Sequence, residues 1–221
     1  MNLLALDTTA RRGSITLLRD GELAGTRLLE SGAGPGEILF TLIEDLLSSA
    51  GLRYADVDAF AAAAGPGSFT GIRVGLAAVK GLAEAFGKPV AAVSTLAALA
   101  AGGEGPLRAP VLDGRRGEVF TGLFTAELEA VVAEQAARWE EYLPNVPPEA
   151  TFIGRDVGMF DPAGVAPLPP DRPRRIVDSL APAVASLAAR RLRQGLAQLP
   201  EEVDANYVRR PDAERNWRPP I

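Results

Sequence analysis

The sequence predicts an α/β protein of two lobes, the second a reduced copy of the first. Three observations carry that expectation. Apolar runs and helical patterns alternate as strand-strand-strand-helix-strand-helix-strand-helix over residues 1–104. The glycine- and proline-bearing stretch Gly102-Gly103-Glu104-Gly105-Pro106 then reads as a linker. Beyond it, Val111-Leu112-Asp113, then Arg115-Arg116-Gly117 and the strand-like run 119–124 echo the opening, which has Ala5-Leu6-Asp7, then Arg11-Arg12-Gly13 and the run 15–18. A first lobe over 1–104 and a smaller, proline-rich second lobe over 105–221 follow, and a terminal helix at 181–195 is compatible with packing on the first.

Taken in order, the run 3–6 ends at Asp7-Thr8-Thr9, and 14–18 forms the second strand. Asp20-Gly21 is a hairpin signal that makes 22–30 a third strand. After a loop at 32–36, Ile38, Leu39, Leu42, Ile43, Leu46 and Leu47 recur at helical spacing over 37–50, with Gly51 as the residue that ends the helix. Phe40 widens that stripe beyond what one core face needs. The short run 59–64, stopped by Gly65-Pro66-Gly67, reads as a buried parallel strand. Ser68 and Thr70 can cap a helix over 70–86, 89–93 is the next strand, and Ser94 opens another helix. In the second half, prolines at 144, 147, 148, 162, 167, 169, 170 and 173 break most regular structure, leaving 151–154 as one more short strand. The cluster Arg172, Arg174 and Arg175 reads as a solvated loop.

Composition narrows the chemistry. The 221 residues contain no histidine and no cysteine, which removes histidine-ligated metal, a histidine base, thiolate ligands and disulfides. The net charge of −5 argues against strong attraction to nucleic acid by this chain alone. No signal-peptide pattern opens the chain, and the alanine-rich windows are interrupted by Arg73, Lys80 and Glu84, so a cytoplasmic protein without membrane association is expected.

Asp7, at a strand end and followed by two threonine hydroxyls, is the leading candidate for a functional carboxylate that could position hydrated magnesium and a phosphate; a turn-capping role accounts for it equally well. Gly65, Gly67 and Ser68 add a glycine turn feeding a helix N-terminus, an arrangement that suits an anion. Asp113 holds the equivalent place in the second half. No P-loop pattern is present, and Ser68 lacks both a histidine partner and the Gly-x-Ser-x-Gly context of a nucleophile. The helix 70–86 keeps much of its surface small through Gly71, Gly75, Ala78 and Gly81, at about 1 kcal/mol per interior glycine. Close approach of another element offsets such a cost. With the broad stripe of 37–50, this points to a protein–protein surface built on Leu39, Phe40, Ile43, Leu47, Gly71, Gly75, Ala78 and Leu82; close packing onto the sheet within one monomer explains the glycines nearly as well, but explains Phe40 and the broad stripe less well.

The motifs Leu4-Ala5-Leu6-Asp7-Thr8-Thr9, the run from Gly65 to Leu76, Lys80-Gly81-Leu82-Ala83, Val93-Ser94-Thr95-Leu96, Asp113 to Val119 and Tyr207-Val208-Arg209 resemble, in order and spacing, those of the TsaB (YeaZ) family. That resemblance implies the two-lobed actin/Hsp70/sugar-kinase (ASKHA) fold. It implies a non-catalytic subunit that supports TsaD, with the ATPase TsaE, in making N6-threonylcarbamoyladenosine in tRNA, and that touches tRNA only through the complex. It also implies that helices 37–50 and 70–86 form the surface used with TsaD, or in a homodimer when TsaD is absent. ATP-binding proteins of this fold have glycine soon after the first aspartate, where this chain has Thr8 and Thr9. Weak or absent binding of ATP or ADP with magnesium is therefore expected, and no residue is assigned a catalytic or metal-binding role. The competing readings are an autonomous kinase or ATPase of the same fold, with Asp7 on magnesium, and a hydrolase using Ser68.

Overall fold

The computed structural model describes residues 1–29 and 35–209. Glu30 as the end of the third strand, the first residues of the expected loop at 32–36, and the tail from Arg210 lie outside the described residues. Strands β1 (Asn2–Asp7), β2 (Gly13–Arg19) and β3 (Glu22–Leu29) form an antiparallel meander, and β4 (Ala59–Ala63) and β5 (Val90–Val93) extend the same sheet in parallel, giving the order β3-β2-β1-β4-β5. Asp20 and Gly21 take positive φ angles of 54° and 88°, as the two-residue turn between β2 and β3 requires.

Helices α1 (Pro35–Ser49) and α2 (Phe69–Phe86) make the crossovers, and α3 (Thr95–Ala101) follows β5. Ser68 caps α2 and Ser94 caps α3, each accepting from backbone amides of the first turn. Helix α1 begins at Pro35, earlier than the apolar spacing indicates, because a proline in the first turn gives up no helical hydrogen bond. Strands β1 and β4 are buried on both faces. Leu4, Leu6, Phe60 and Ala62 meet Leu39, Ile43, Ile72 and Val79 of α1 and α2, while Leu3, Ala5, Ala59 and Ala61 face the opposite way. That opposite face is covered by α5 (Ala181–Arg193), whose Val184, Ala185 and Ala188 pack on it. The chain thus returns to the first sheet after completing the second.

The second sheet repeats the plan. Strands β6 (Leu107–Arg115), β7 (Glu118–Thr125) and β8 (Ala130–Arg138) are antiparallel, β9 (Thr151–Gly154) and β10 (Arg174–Ile176) run parallel to β6, and the order is β10-β9-β6-β7-β8. This duplicated arrangement is the ASKHA-like fold that the resemblance implies. The reduction falls on the crossovers: α4 (Trp139–Tyr142) and a short 3-10 turn replace the first helix, and another 3-10 turn at Val157–Phe160 replaces the second. Aromatic side chains pack in the core beneath these short crossovers, with Trp139 edge-on to Phe152 at 5.5 Å between ring centres and Phe160 in the same core.

Two strands were not anticipated, β8 and β10. The arginine cluster is exposed at Arg174 and Arg175, but these two lie in β10 rather than in a loop, and Arg172, in the bend before it, is half-buried. Arg172 donates to the carbonyls of Val146 and Pro147, and Arg175, next to Arg174 in β10, pairs with Glu104 at 2.8 Å.

Tyr142 gives this lobe a testable alkaline limb. Its hydroxyl is buried and donates to the Gly122 carbonyl at 2.8 Å, and burial pushes its pKa above the usual tyrosine value. The folded state therefore holds the neutral phenol more strongly than the unfolded chain does. Its contribution is complete below pH of about 10 and is lost as pH rises through the folded pKa. Tyr142→Phe is expected to cost about 1 kcal/mol at neutral pH by leaving the carbonyl unpaired, and to flatten the alkaline fall in urea midpoint.

Candidate functional site

The β1–β2 turn and the N-terminus of α2 meet at the floor of a cleft between the lobes, with a volume of ≈ 1170 Å³. Thr8, Thr9, Gly67 and Ser68 line one wall; Asp113, Phe120 and Arg155 line the other. The sequence-chosen residues therefore do come together. Gly65 lies just behind them, with a positive φ of 108° and a carbonyl that accepts from Thr95 N at 2.8 Å.

What they form is a closed network. Asp7 is fully buried, and one of its oxygens, Oδ1, accepts from Thr9 N at 3.0 Å and from Thr9 Oγ1 at 2.6 Å. The other, Oδ2, is 2.5 Å from Arg155 Nη1, and Arg155 Nη2 donates to the Arg12 carbonyl at 2.8 Å. Thr8 Oγ1 donates to the Gly71 carbonyl at 2.6 Å, and Ser68 N donates to the Thr9 carbonyl at 2.7 Å. Ser68 Oγ is an acceptor for Gly71 N at 3.3 Å, so it serves as a helix cap. Asp113 repeats half of the Asp7 geometry: its Oδ1 accepts from Arg115 N, again two residues on, at 2.7 Å, but it is partly exposed.

A second tie joins the lobes nearby. Glu134 of β8 is hydrogen-bonded through Oε1 to Ser94 Oγ and accepts at Oε2 from Asn206 Nδ2 at 2.8 Å, while Tyr207 lies against Phe69, 6.2 Å between ring centres. Arg155, Glu134 and Asn206 were not selected from sequence. The half-repeat held the signal for Arg155. If β6 corresponds to β1, then β9 corresponds to β4, and the residues directly after β9 must face the end of β1 across the cleft.

The surface assignments need correcting. Leu39, Ile43 and Leu47 are buried in the chain's own core, and Ala78 and Leu82 are nearly so, because α1 and α2 press these side chains onto the sheet. Gly71 and Gly75 also serve an internal contact. A Cβ at 71 would overlap the Thr8 carbonyl oxygen, and one at 75 would overlap Thr8 Oγ1. Gly71 is helical and needs no unusual dihedral. Of the eight expected surface residues, Phe40, 46% exposed, is the one that projects into solvent. Gly81 behaves differently from its neighbours, since among the described residues a Cβ there would meet no atom beyond the helix's own backbone within 4 Å. Among the described residues no cluster of acidic side chains could hold a metal, and no helix is long and apolar enough to cross a membrane.

Comparison with known proteins agrees over most of the chain. A family profile described as TsaD, tRNA N6-adenosine threonylcarbamoyltransferase, matches residues 36–161. The tRNA threonylcarbamoyladenosine biosynthesis protein TsaB of Bacillus subtilis is 33% identical over 167 residues, 72% of this chain and 73% of that one. Two further curated TsaB proteins are matched over 53% and 42% of their length. Curated TsaD transferases match over about 60 residues, 16 or 17% of their length. The solved structure of YeaZ from Pseudomonas aeruginosa superposes with a TM-score of 0.81 at 29% identity, covering 93% of this chain and 99% of that one. At 10% identity and a TM-score of 0.54, an activator of 2-hydroxyisocaproyl-CoA dehydratase from Clostridium difficile, solved with bound ADPNP, shares the fold, covering 93% of this chain and 99% of that one.

Proposed function

We propose, from the premise that this chain belongs to the TsaB (YeaZ) family, that it is the non-catalytic scaffold of the machinery that transfers a threonylcarbamoyl group to tRNA. The family has its role in tRNA threonylcarbamoyladenosine biosynthesis. Within that role this subunit binds the catalytic subunit TsaD, works alongside the ATPase TsaE, pairs with a second copy of itself when TsaD is absent, and meets tRNA only through the complex. It takes little or no nucleotide on its own.

The observation that carries the scaffold reading is Gly81. An interior helical glycine costs about 1 kcal/mol relative to alanine. Gly71 and Gly75 are accounted for by Thr8, but among the described residues nothing outside the helix's own backbone comes within 4 Å of a Cβ placed at position 81. With exposed Ala77 one turn earlier and exposed Phe40 on α1, it leaves a surface where another backbone can come close. A catalytic reading has less support, because the chain has no histidine or cysteine and both oxygens of Asp7 already have donors.

Co-purification with TsaD tests the reading, and absence of any complex, with or without nucleotide, overturns it. Gly81→Arg and Ala77→Glu place large charged groups on the outward face; the first is expected to raise the free chain's stability by up to about 1 kcal/mol through helix propensity and the second to leave it within about 0.5 kcal/mol, while each abolishes the complex. Unchanged association would move the interface away from α2. Gly75→Arg is a poor probe, since it would collide with Thr8 inside the fold.

A further inference from the structure

We infer that Arg155 stands in this cleft where a divalent cation stands in nucleotide-binding proteins of the same fold, and that it pins the two lobes together through Asp7. The inference is independent of the proposed pairing with TsaD, because it concerns the isolated chain.

The fold implies a metal–phosphate group at the end of β1, and the residues here do not fit one. A carboxylate that receives a hydrated magnesium ion needs an oxygen turned toward open cleft. Asp7 has none to offer: Oδ1 is taken by the backbone amide and hydroxyl of Thr9, and Oδ2 by Arg155 Nη1. A divalent ion would also have to sit beside a guanidinium that is 10% exposed, and like charges repel strongly where water is scarce. The space for phosphate is closed in the same way. The Thr9 carbonyl accepts from the Ser68 amide, and the Thr8 hydroxyl donates to the Gly71 carbonyl, so the β1–β2 turn lies directly on the start of α2.

The guanidinium has the geometry of a pin. It comes from the residue after β9, 148 positions from Asp7, and its second nitrogen holds the Arg12 carbonyl. One side chain of the second lobe thereby grips both sides of the β1–β2 turn. A buried ion pair is retained at a desolvation cost that hydrogen bonds on every polar atom reduce, and this pair has them on each carboxylate oxygen. A planar fork makes the two contacts from two nitrogens held in fixed geometry, which the single ammonium nitrogen of a lysine does not reproduce.

Amide hydrogen exchange on the isolated full-length chain tests this. Arg155→Met is expected to speed exchange at least about a hundredfold at residues 8–12 and 155–158, and by more there than in the core of β7. Millimolar magnesium should slow exchange again in Arg155→Met, have no effect on the wild type, and fail to act on Arg155→Met/Asp7→Asn. Should Arg155→Met be too unstable for exchange, its melting temperature with and without magnesium is the readout, and the inference requires it to rise. Equal exchange in wild type and Arg155→Met removes the pin. Indifference of Arg155→Met to magnesium removes the substitution of arginine for a cation.

Discussion

Replacing Gly71 with alanine is expected to destabilise the protein by more than about 3 kcal/mol, although alanine is the better helix former by about 1 kcal/mol. The added methyl has no room, because it would overlap the backbone carbonyl oxygen of Thr8. Backbone at the end of β1 cannot retreat without breaking the Thr8–Gly71 and Thr9–Ser68 hydrogen bonds that seat α2 on the sheet. Gly75→Ala meets a softer obstacle, the Thr8 hydroxyl, with the Thr8 Cβ at 3.7 Å. Its cost is expected at about 1–3 kcal/mol. Thr8→Ala should recover much of that cost, because it deletes the colliding atom, and should recover none of the cost at 71. The contrast between the two cycles, read from urea midpoints, isolates the contact from general damage to the helix. If both alanine variants were at least as stable as the wild type, the glycines would serve something outside this chain.

The same residues show how far the sequence could be read. The alternation of strand and helix patterns and the echo of Asp7 at Asp113 were visible because binary patterning and turn chemistry are local properties. So were the caps, since Ser68 and Ser94 bond within their own first turns. Strand β8 was hidden by its mixed alanine and polar composition, and β10 by its three-residue length directly after a proline-rich segment. At the site, the turn residues were legible and their chemistry was not. Asp7, Thr8 and Thr9 invite a metal and phosphate until Arg155 is known to occupy the carboxylate, and that contact spans 148 residues. The glycines were misread for a related reason. Helical spacing reports that one face of α2 is small but not which neighbour needs it so. Only the packing separates Gly71 and Gly75, turned toward Thr8, from Gly81, turned toward open space.

The ion pair itself carries the second large expectation. Asp7→Ala leaves Arg155 buried without its carboxylate and strips Thr9 of its acceptor, so a loss of about 3–5 kcal/mol is expected. Arg155→Met is also expected to destabilise, by a similar amount, because it strands a fully buried carboxylate whose remaining donors belong to Thr9. Combining Arg155→Met with Asp7→Asn removes both charges, and the asparagine oxygen can still accept from Thr9. The double variant should therefore be more stable than the sum of the two single losses predicts by about 2 kcal/mol or more. Added salt should move the wild-type midpoint little through this pair, because mobile ions screen buried charges poorly. Strict additivity in the cycle would mean that the two groups do not sense each other, whatever their distance. Coupling without salt dependence is the signature of a charge pair sealed between lobes, and it separates Asp7–Arg155 from exposed pairs such as Arg53–Asp56, whose contribution salt should erase.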